Sequence, residues 1–458
     1  LKPFGYLPHT ETERKEMLAF LGLQQTEGLF DQIPAEIRLK EPIQIPQAWS
    51  ELELTRQFGR MAARNKNTEE YVSFLGAGAY EHAIPAVVEA IVGRSEFYTA
   101  YTPYQPEISQ GILQAIFEYQ TMICELTGME VSNASLYDGP TAMAEAGMMA
   151  CAATKRTKLL VSRAVHPEYR EVLKTYAYGQ RLEIVEIGVG DGLTDLDELG
   201  DRMGDDIAGC IVQYPNFFGC VEPLEELAAL TRHCGALFIA VVNPIAMGIL
   251  EPPGSFGADI VVAEGQPLGN PLSFGGPYLG ILATTRALVR RMPGRIIGQT
   301  TDLDGRRAFV LTLQAREQHI RREKATSNVC SNQALNALAA TVYLSYMGKQ
   351  GLCEVARQCM LKTQYAIERL TSIKGVERLF STAVFHECAF KLPASPAAVN
   401  KKLLEHGIIG GYELAKDYPR YENSVLLAFT EARTKEEIDT LAERLEATSG
   451  SSARFALM

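Results

Sequence analysis

From Lys158 to Ala283 the chain repeats one pattern, in which short and nearly continuous apolar runs alternate with helical segments. Lys158-Leu-Leu-Val-Ser reads as a strand and Pro167 to Tyr178 as a helix. Leu182 to Ile187 is a strand and Thr194 to Met203 a helix. Ala208 to Gln213 is a strand and Pro223 to Cys234 a helix. Ala236 to Val242, Ala258 to Ala263 and Tyr278 to Ala283 are further strands. Apolar strands without polar alternation are buried on both faces, and parallel neighbours need crossovers, which are right-handed. The pattern therefore predicts a doubly wound α/β domain with a mainly parallel sheet. Ligands in such domains sit beyond the carboxyl ends of the strands. The polar residues expected there are Asp138, Ser162, His166, Gln213, Tyr214, Asn216, Asn243, Glu264 and Gln266.

Three segments flank or contain this pattern. Residues 1–70 read as a helical arm, 71–316 as the large α/β domain and 317–458 as a smaller α+β domain. In the arm, Thr10-Glu-Thr-Glu13 and Ser50-Glu-Leu-Glu53 fit capping boxes ahead of Met17, Leu18 and Leu21 and of Leu54, Phe58 and Met61. The link from Ile33-Pro to Ile45-Pro is expected to be extended. Arms of this kind wrap a partner subunit or their own domain, and the sequence does not choose. In the last segment, helices are expected over Asn332–Met347, Leu352–Ser372, Ala397–Glu405 and Lys435–Ala447. Strands are expected over Ala383–Leu392 and Ser424–Phe429, and Thr434 to Glu437 is another capping box.

The formal net charge of −11 argues against sequence-independent nucleic-acid binding, which depends on Lys and Arg at phosphates. No apolar run reaches the roughly 18 residues of a membrane span. The opening string Leu1-Lys-Pro-Phe-Gly-Tyr6 has no apolar signal core, so a cytoplasmic protein is expected. The nine cysteines form no C-x-x-C pair and the seven histidines no H-x-x-x-H pair, so no metal site is expected.

Two stretches carry possible chemistry. In Leu136-Tyr-Asp-Gly-Pro-Thr-Ala-Met-Ala-Glu-Ala-Gly147, Pro140 suits the first turn of a helix running to Ala153. The free N–H groups of that turn, with Asp138, Gly139 and Thr141, form a phosphate cup or a plain strand–turn–helix corner. In Phe97-Tyr-Thr-Ala-Tyr-Thr-Pro-Tyr-Gln-Pro-Glu107, three tyrosines and two prolines make a stiff loop. It either lines a small-molecule pocket or packs on the core. An amphipathic helix follows, with Ile108, Ile112, Ile116, Tyr119, Ile123 and Leu126 on one face, and ends at Gly128.

A large doubly wound domain followed by a small α+β domain suits pyridoxal-phosphate enzymes. Such a site needs a helix N-terminus for the phosphate, an acid at a strand end for the pyridine nitrogen and a lysine for the covalent bond. The first is offered by Asp138–Thr141. At the second position stands Asn243, whose neutral amide cannot pair with a pyridinium as a carboxylate does. The third is missing: the loop Glu264-Gly-Gln-Pro-Leu-Gly-Asn-Pro-Leu-Ser-Phe-Gly-Gly276 has no lysine, and none occurs between Lys174 and Lys324. Arginine cannot substitute, because its pKa is too high to give a neutral nucleophile.

Five strings carry a resemblance. They are Tyr71-Val-Ser-Phe-Leu-Gly-Ala-Gly-Ala-Tyr80, Arg94-Ser-Glu-Phe-Tyr-Thr-Ala-Tyr-Thr-Pro-Tyr-Gln-Pro-Glu-Ile-Ser-Gln-Gly111, Asn133-Ala-Ser-Leu-Tyr-Asp-Gly139, Pro271-Leu-Ser-Phe-Gly-Gly-Pro277 and Arg322-Glu-Lys-Ala-Thr-Ser-Asn328. Over essentially its whole length the chain resembles the α subunits (subunit 1) of two-subunit glycine dehydrogenases (decarboxylating), the P-proteins of the glycine cleavage system. The resemblance implies the aminotransferase-like fold of type I pyridoxal-phosphate enzymes. It implies an α2β2 assembly in which the β subunit binds pyridoxal phosphate covalently and this chain, inactive alone, completes the site. Glycine is decarboxylated and the aminomethyl group passes to the lipoyl arm of the H-protein. Asn243 departs from the Asp-Pro-hydrophobic string usual in the family, so Asp138, Gly139, Thr141 and Asn243 are expected to form a vestigial cup, empty or holding a stray anion. Tyr98, Tyr101, Tyr104 and Gln105 are expected either to line the substrate or lipoyl entrance or to form a rigid interface loop. Arg322, Lys324, Thr326 and Ser327 are candidates for contact with the anionic H-protein or the cofactor region, or else a solvated, capped helix face. His166, His319 and His386 are expected to be structural.

Overall fold

The computed structural model describes residues 9–41 and 43–455. The opening string 1–6 and Pro42 of the extended link lie outside them. The chain divides into two compact units, residues 1–66 and 67–458. In the first, helices span Glu11–Phe20 and Glu51–Ala62, and both expected capping boxes form. Thr10 and Ser50 accept from the third helical N–H, and Glu13 and Glu53 accept from the cap N–H, so two otherwise orphaned donors are satisfied at each end. Leu54, Phe58 and Met61 of the second helix stay exposed.

The second unit is built on a seven-stranded sheet. Its order is Val131–Ser132, Gly280–Thr284, Ile260–Glu264, Leu237–Val242, Ile207–Tyr214, Lys158–Ser162, Glu183–Ile187. The last five of these are parallel neighbours, as the alternation predicts. Gly280–Thr284 departs from the expectation, because it runs antiparallel to both its neighbours. The reason is its connection. Residues 265–279 contain no helix, so the chain turns back beside Ile260–Glu264 instead of crossing over.

Side chains alternate across the sheet into two cores. Leu160, Val212, Phe238 and Ala240 pack with Tyr119, Ile123 and Tyr343 on one face. Leu159, Val161, Ile211, Ile239 and Val241 pack on the other with Met143, Met149 and Leu173. The Ala/Met-rich helix Gly139–Thr154 belongs to that second core and is apolar on nearly every face because it is buried, with Gly139 and Ala142–Cys151 all enclosed and Glu145 its one charged side chain. Its Gly147 lets it approach Leu159 and Leu173 closely.

The C-terminal part carries a four-stranded antiparallel sheet, ordered Glu377–Arg378, Glu387–Lys391, Ser424–Ala428, Tyr412–Glu413. Phe390, Leu426, Ile438 and Leu441 share a core there with Phe217 and Phe218, which follow the strand Ile207–Tyr214. The two long helices expected after residue 332 both form within Ala334–Thr371 and are separated at Gly348, whose φ of +59° is not helical. The hairpin Ile296–Thr301/Arg307–Thr312 was not foreseen. Among the described residues no helix is long and apolar enough to cross a membrane.

Candidate functional site

The helix Gly139–Thr154 begins at the carboxyl end of the sheet, and Asp138 is its N-cap. The Asp138 carboxylate accepts from the Thr141 N–H at 2.9 Å and from its hydroxyl at 2.7 Å. The Thr141 hydroxyl oxygen in turn accepts from the Asp138 N–H at 3.2 Å. Both candidate side chains are thus turned on each other. The first helical amide, Gly139 N–H, donates to the carboxylate of Glu264 at 2.9 Å. Glu264 closes the neighbouring strand, and its other oxygen accepts from the Gln266 and Leu279 N–H groups, each at 3.0 Å. A Cβ on Gly139 would collide with the Tyr169 hydroxyl and touch Glu264. The helix N-terminus therefore faces a carboxylate of its own chain. Burial outweighs the three hydrogen bonds and pushes the Glu264 carboxyl up to about 7.

The residues where a pyridine ring would rest are also engaged. Asn243 Oδ1 accepts from Ile245 N–H at 2.9 Å, and its Nδ2 donates to His386 Nε2 at 3.2 Å. His386 lies 4.3 Å from the Tyr80 ring, and burial lowers its pKa to about 3, so it stays neutral. His166 stacks on Tyr169 at 4.8 Å, its Nε2 lies 2.9 Å from the Ala77 carbonyl, and burial lowers its pKa too. Gln266 bridges Tyr80 and Asn270. The loop from Glu264 to Gly276 supplies no amine. This donor set does not fit pyridoxal phosphate: its anion-binding amide is already paired, its ring-nitrogen partner is a neutral amide held by its own turn, and its covalent anchor is absent.

The tyrosine loop lies elsewhere and faces outward. Tyr98 is 66% exposed, Tyr101 83% and Tyr104 53%, and Gln105 is exposed as well. Tyr104 is fixed by Arg295, whose Nη2 donates to its hydroxyl at 3.2 Å and whose guanidinium lies 5.5 Å from the ring centre. Sequence reasoning missed Arg295. Its one visible signal was a charge placed between Pro293-Gly and the apolar Ile296-Ile.

Arg322 and Lys324 are exposed, and Lys324, Thr326 and Ser327 line a cleft of about 860 Å³ with Lys155, Arg156 and the buried Glu145. Burial lifts the Glu145 carboxyl to about 7. His319 is exposed and stands 3.7 Å from Glu317. Distant parts of the sequence also bring His82, Cys359 and Glu431 together, which no spacing motif announced. They are hydrogen-bonded among themselves, His82 to Glu431 at 2.7 Å and Cys359 to Glu431 at 3.4 Å.

The family described as "Glycine cleavage system P-protein" matches residues 5–445. A probable glycine dehydrogenase (decarboxylating) subunit 1 from Moorella thermoacetica is 56% identical over 436 residues, covering 95% of this chain and 98% of that protein. A crystal structure of glycine decarboxylase (P-protein) in inhibitor-bound form superposes with a TM-score of 0.89 at 44% identity, covering 97% of this chain and all of that one. A sphingosine-1-phosphate lyase from Burkholderia pseudomallei shares the fold alone, with a TM-score of 0.66 at 12% identity over 93% of this chain and 97% of the other. The fold is that of the aminotransferase-like, type I pyridoxal-phosphate proteins, and the chain belongs to the glycine cleavage system P-protein family.

Proposed function

We propose that this chain is the subunit of a cytoplasmic glycine dehydrogenase (decarboxylating) that lacks the covalent cofactor site. It works in an α2β2 assembly whose β subunit holds pyridoxal phosphate on a lysine and supplies its electron-withdrawing chemistry. Together they decarboxylate glycine and transfer the aminomethyl group to the lipoyl arm of the H-protein. One observation carries the reading: the Gly139 amide, which a cofactor phosphate would need, holds the Glu264 carboxylate. Asp138, Gly139, Thr141 and Asn243 then form a vestigial site, closed by the chain's own residues.

The outward tyrosines are this chain's contribution to the shared site. Tyr98, Tyr101, Tyr104 and Gln105 border the entrance for substrate or lipoyl arm in the partner. Their hydroxyls and amide orient polar groups there, while the prolines around them hold the loop shape. Arg322, Lys324, Thr326 and Ser327 form a polar, basic stretch suited to the anionic H-protein. We also take 1–70 as an arm, 71–316 as the large domain and 317–458 as the small one.

The test reassembles the chain with β and measures glycine decarboxylation in Tyr101→Phe and Tyr104→Phe variants. Reduced turnover with an intact assembly is expected, and unchanged activity in both counts against the entrance role. The chain alone, incubated with pyridoxal phosphate and desalted, is expected to keep no visible absorption band and release no carbon dioxide from glycine. Either signal from the chain alone refutes the proposal.

A further inference from the structure

Arg295 is 6% exposed and, among the described residues, has no carboxylate within 4 Å. Its acceptors are all neutral: Asn332 Oδ1 at 3.2 Å, the Tyr104 hydroxyl at 3.2 Å and the Cys330 carbonyl at 2.6 Å. A guanidinium has five N–H donors in a planar fork. Three hydrogen bonds leave two of them over, and the buried Nε–H has no partner at all. Burying a charge without a counter-charge is costly, and a cation in this position is stabilised by a paired anion.

The surroundings are built around this guanidinium. Asn332 also donates to the Ala134 carbonyl and the Ser135 hydroxyl, each at 3.0 Å. Ser135 sits at φ +120°, a conformation rare for any residue with a side chain. Two of the five strings that carry the family resemblance meet here, the tyrosine loop through Tyr104 and the segment 133–139 through Ser135 and Tyr137, and Cys330, just beyond the string 322–328, joins them. Asn332 further lines a cavity of about 280 Å³ whose walls include Phe97, Tyr98, Tyr101, Ile116 and Leu338.

We propose that Arg295, with the Tyr104 hydroxyl and the Asn332 amide beside it, is a carboxylate-binding site. An uncompensated cation with its Nε–H unpaired suits a single carboxylate oxygen, whereas a phosphate dianion would need more donors and more charge than the site holds. Asn332 is shared between the guanidinium and the cavity, which Arg295 and Tyr104 do not themselves line, and the cavity takes the body that carries the carboxylate. That carboxylate belongs either to a small molecule or to a side chain of the partner subunit. The second source rests on the proposed two-subunit reading, and the first does not.

The test has two arms, both read without turnover. Thermal unfolding of the full chain is followed in sodium acetate against sodium chloride at equal ionic strength. Association with the β subunit is titrated for wild type, Arg295→Gln and Arg295→Lys. The lysine variant keeps the charge, and so covers the case in which the glutamine variant does not fold. For a small-molecule carboxylate, acetate protects the wild type, and its apparent Kd rises about tenfold or more in both variants. For a partner carboxylate, acetate has no effect and β affinity falls about tenfold in the variants. If folded variants match the wild type in both arms, or lose only thermal stability with no response to acetate or β, the site is refuted. A wild-type chain that binds acetate yet fails to restore glycine decarboxylation to β refutes the proposed function and leaves this site standing.

Discussion

Replacing Glu264 by glutamine tests whether the helix N-terminus is held by its own chain. The carboxylate accepts three backbone N–H groups, from Gly139, Gln266 and Leu279. In Glu264→Gln the amide oxygen can keep the Gln266 and Leu279 pair, but the amide nitrogen then faces Gly139 N–H, donor against donor. One buried donor left unsatisfied costs about 1–3 kcal/mol. The pH dependence sharpens the test. Burial raises the Glu264 carboxyl from 4.5 to about 7. The folded chain thus binds this proton more tightly than the unfolded chain does. The resulting stabilisation is complete below 4.5, declines as the pH rises toward 7 and is lost above it. At about 1.36 kcal/mol per pH unit, most of that interval lies between pH 5 and pH 8, roughly 2 kcal/mol. Glutamine does not titrate. Glu145, Glu222 and Glu387, also raised to about 7 by burial, titrate in both proteins and cancel. Urea unfolding at pH 5, 6.5 and 8 should therefore show a stability gap between wild type and variant that narrows as the pH rises. A gap that is absent, constant or wider at pH 8 would mean that Glu264 does not hold the start of this helix.

Gly139→Ala places a methyl against the Tyr169 hydroxyl and Glu264; urea unfolding should show a loss of about 1–3 kcal/mol. Tyr80→Phe removes the donor that reaches Glu387 at 2.7 Å in a buried setting and leaves Gly78 N–H without its acceptor. A loss of about 1–3 kcal/mol is expected by the same assay. Phe58 is exposed on the apolar face of its helix, so Phe58→Asp should leave the chain's stability within about 0.5 kcal/mol. If the arm wraps the partner, the same change weakens β binding about tenfold in a titration; unchanged affinity would remove the arm from the interface.

Much of the frame was legible because it is written locally. Capping boxes at Thr10 and Ser50 need only residues three apart, and apolar runs such as Leu159–Val161 announce buried strands by themselves. The absence of a lysine from 175 to 323 is likewise a fact of sequence alone. The hairpin Ile296–Thr312 escaped because its exposed Gln299, Thr300 and Thr301 show no apolar alternation. The antiparallel turn of Gly280–Thr284 escaped because an apolar strand reads the same in either direction. The stretch Asp138–Thr141 stands out in the sequence, but the carboxylate set against its first amide does not. Glu264 stands 125 residues from Gly139, and only the pairing of their strands and loops sets the carboxylate on that amide.

Residue type and short-range period were enough for most of the element order, for the fold class and for the missing amine. Which charges are compensated depends on contacts between distant parts of the chain. Arg295 looks like any arginine in a row of residues. It becomes a buried cation without a counter-charge only when Tyr104, Cys330 and Asn332 close around it. Desolvation depends on what surrounds a group in space, and nearness along a chain does not fix that.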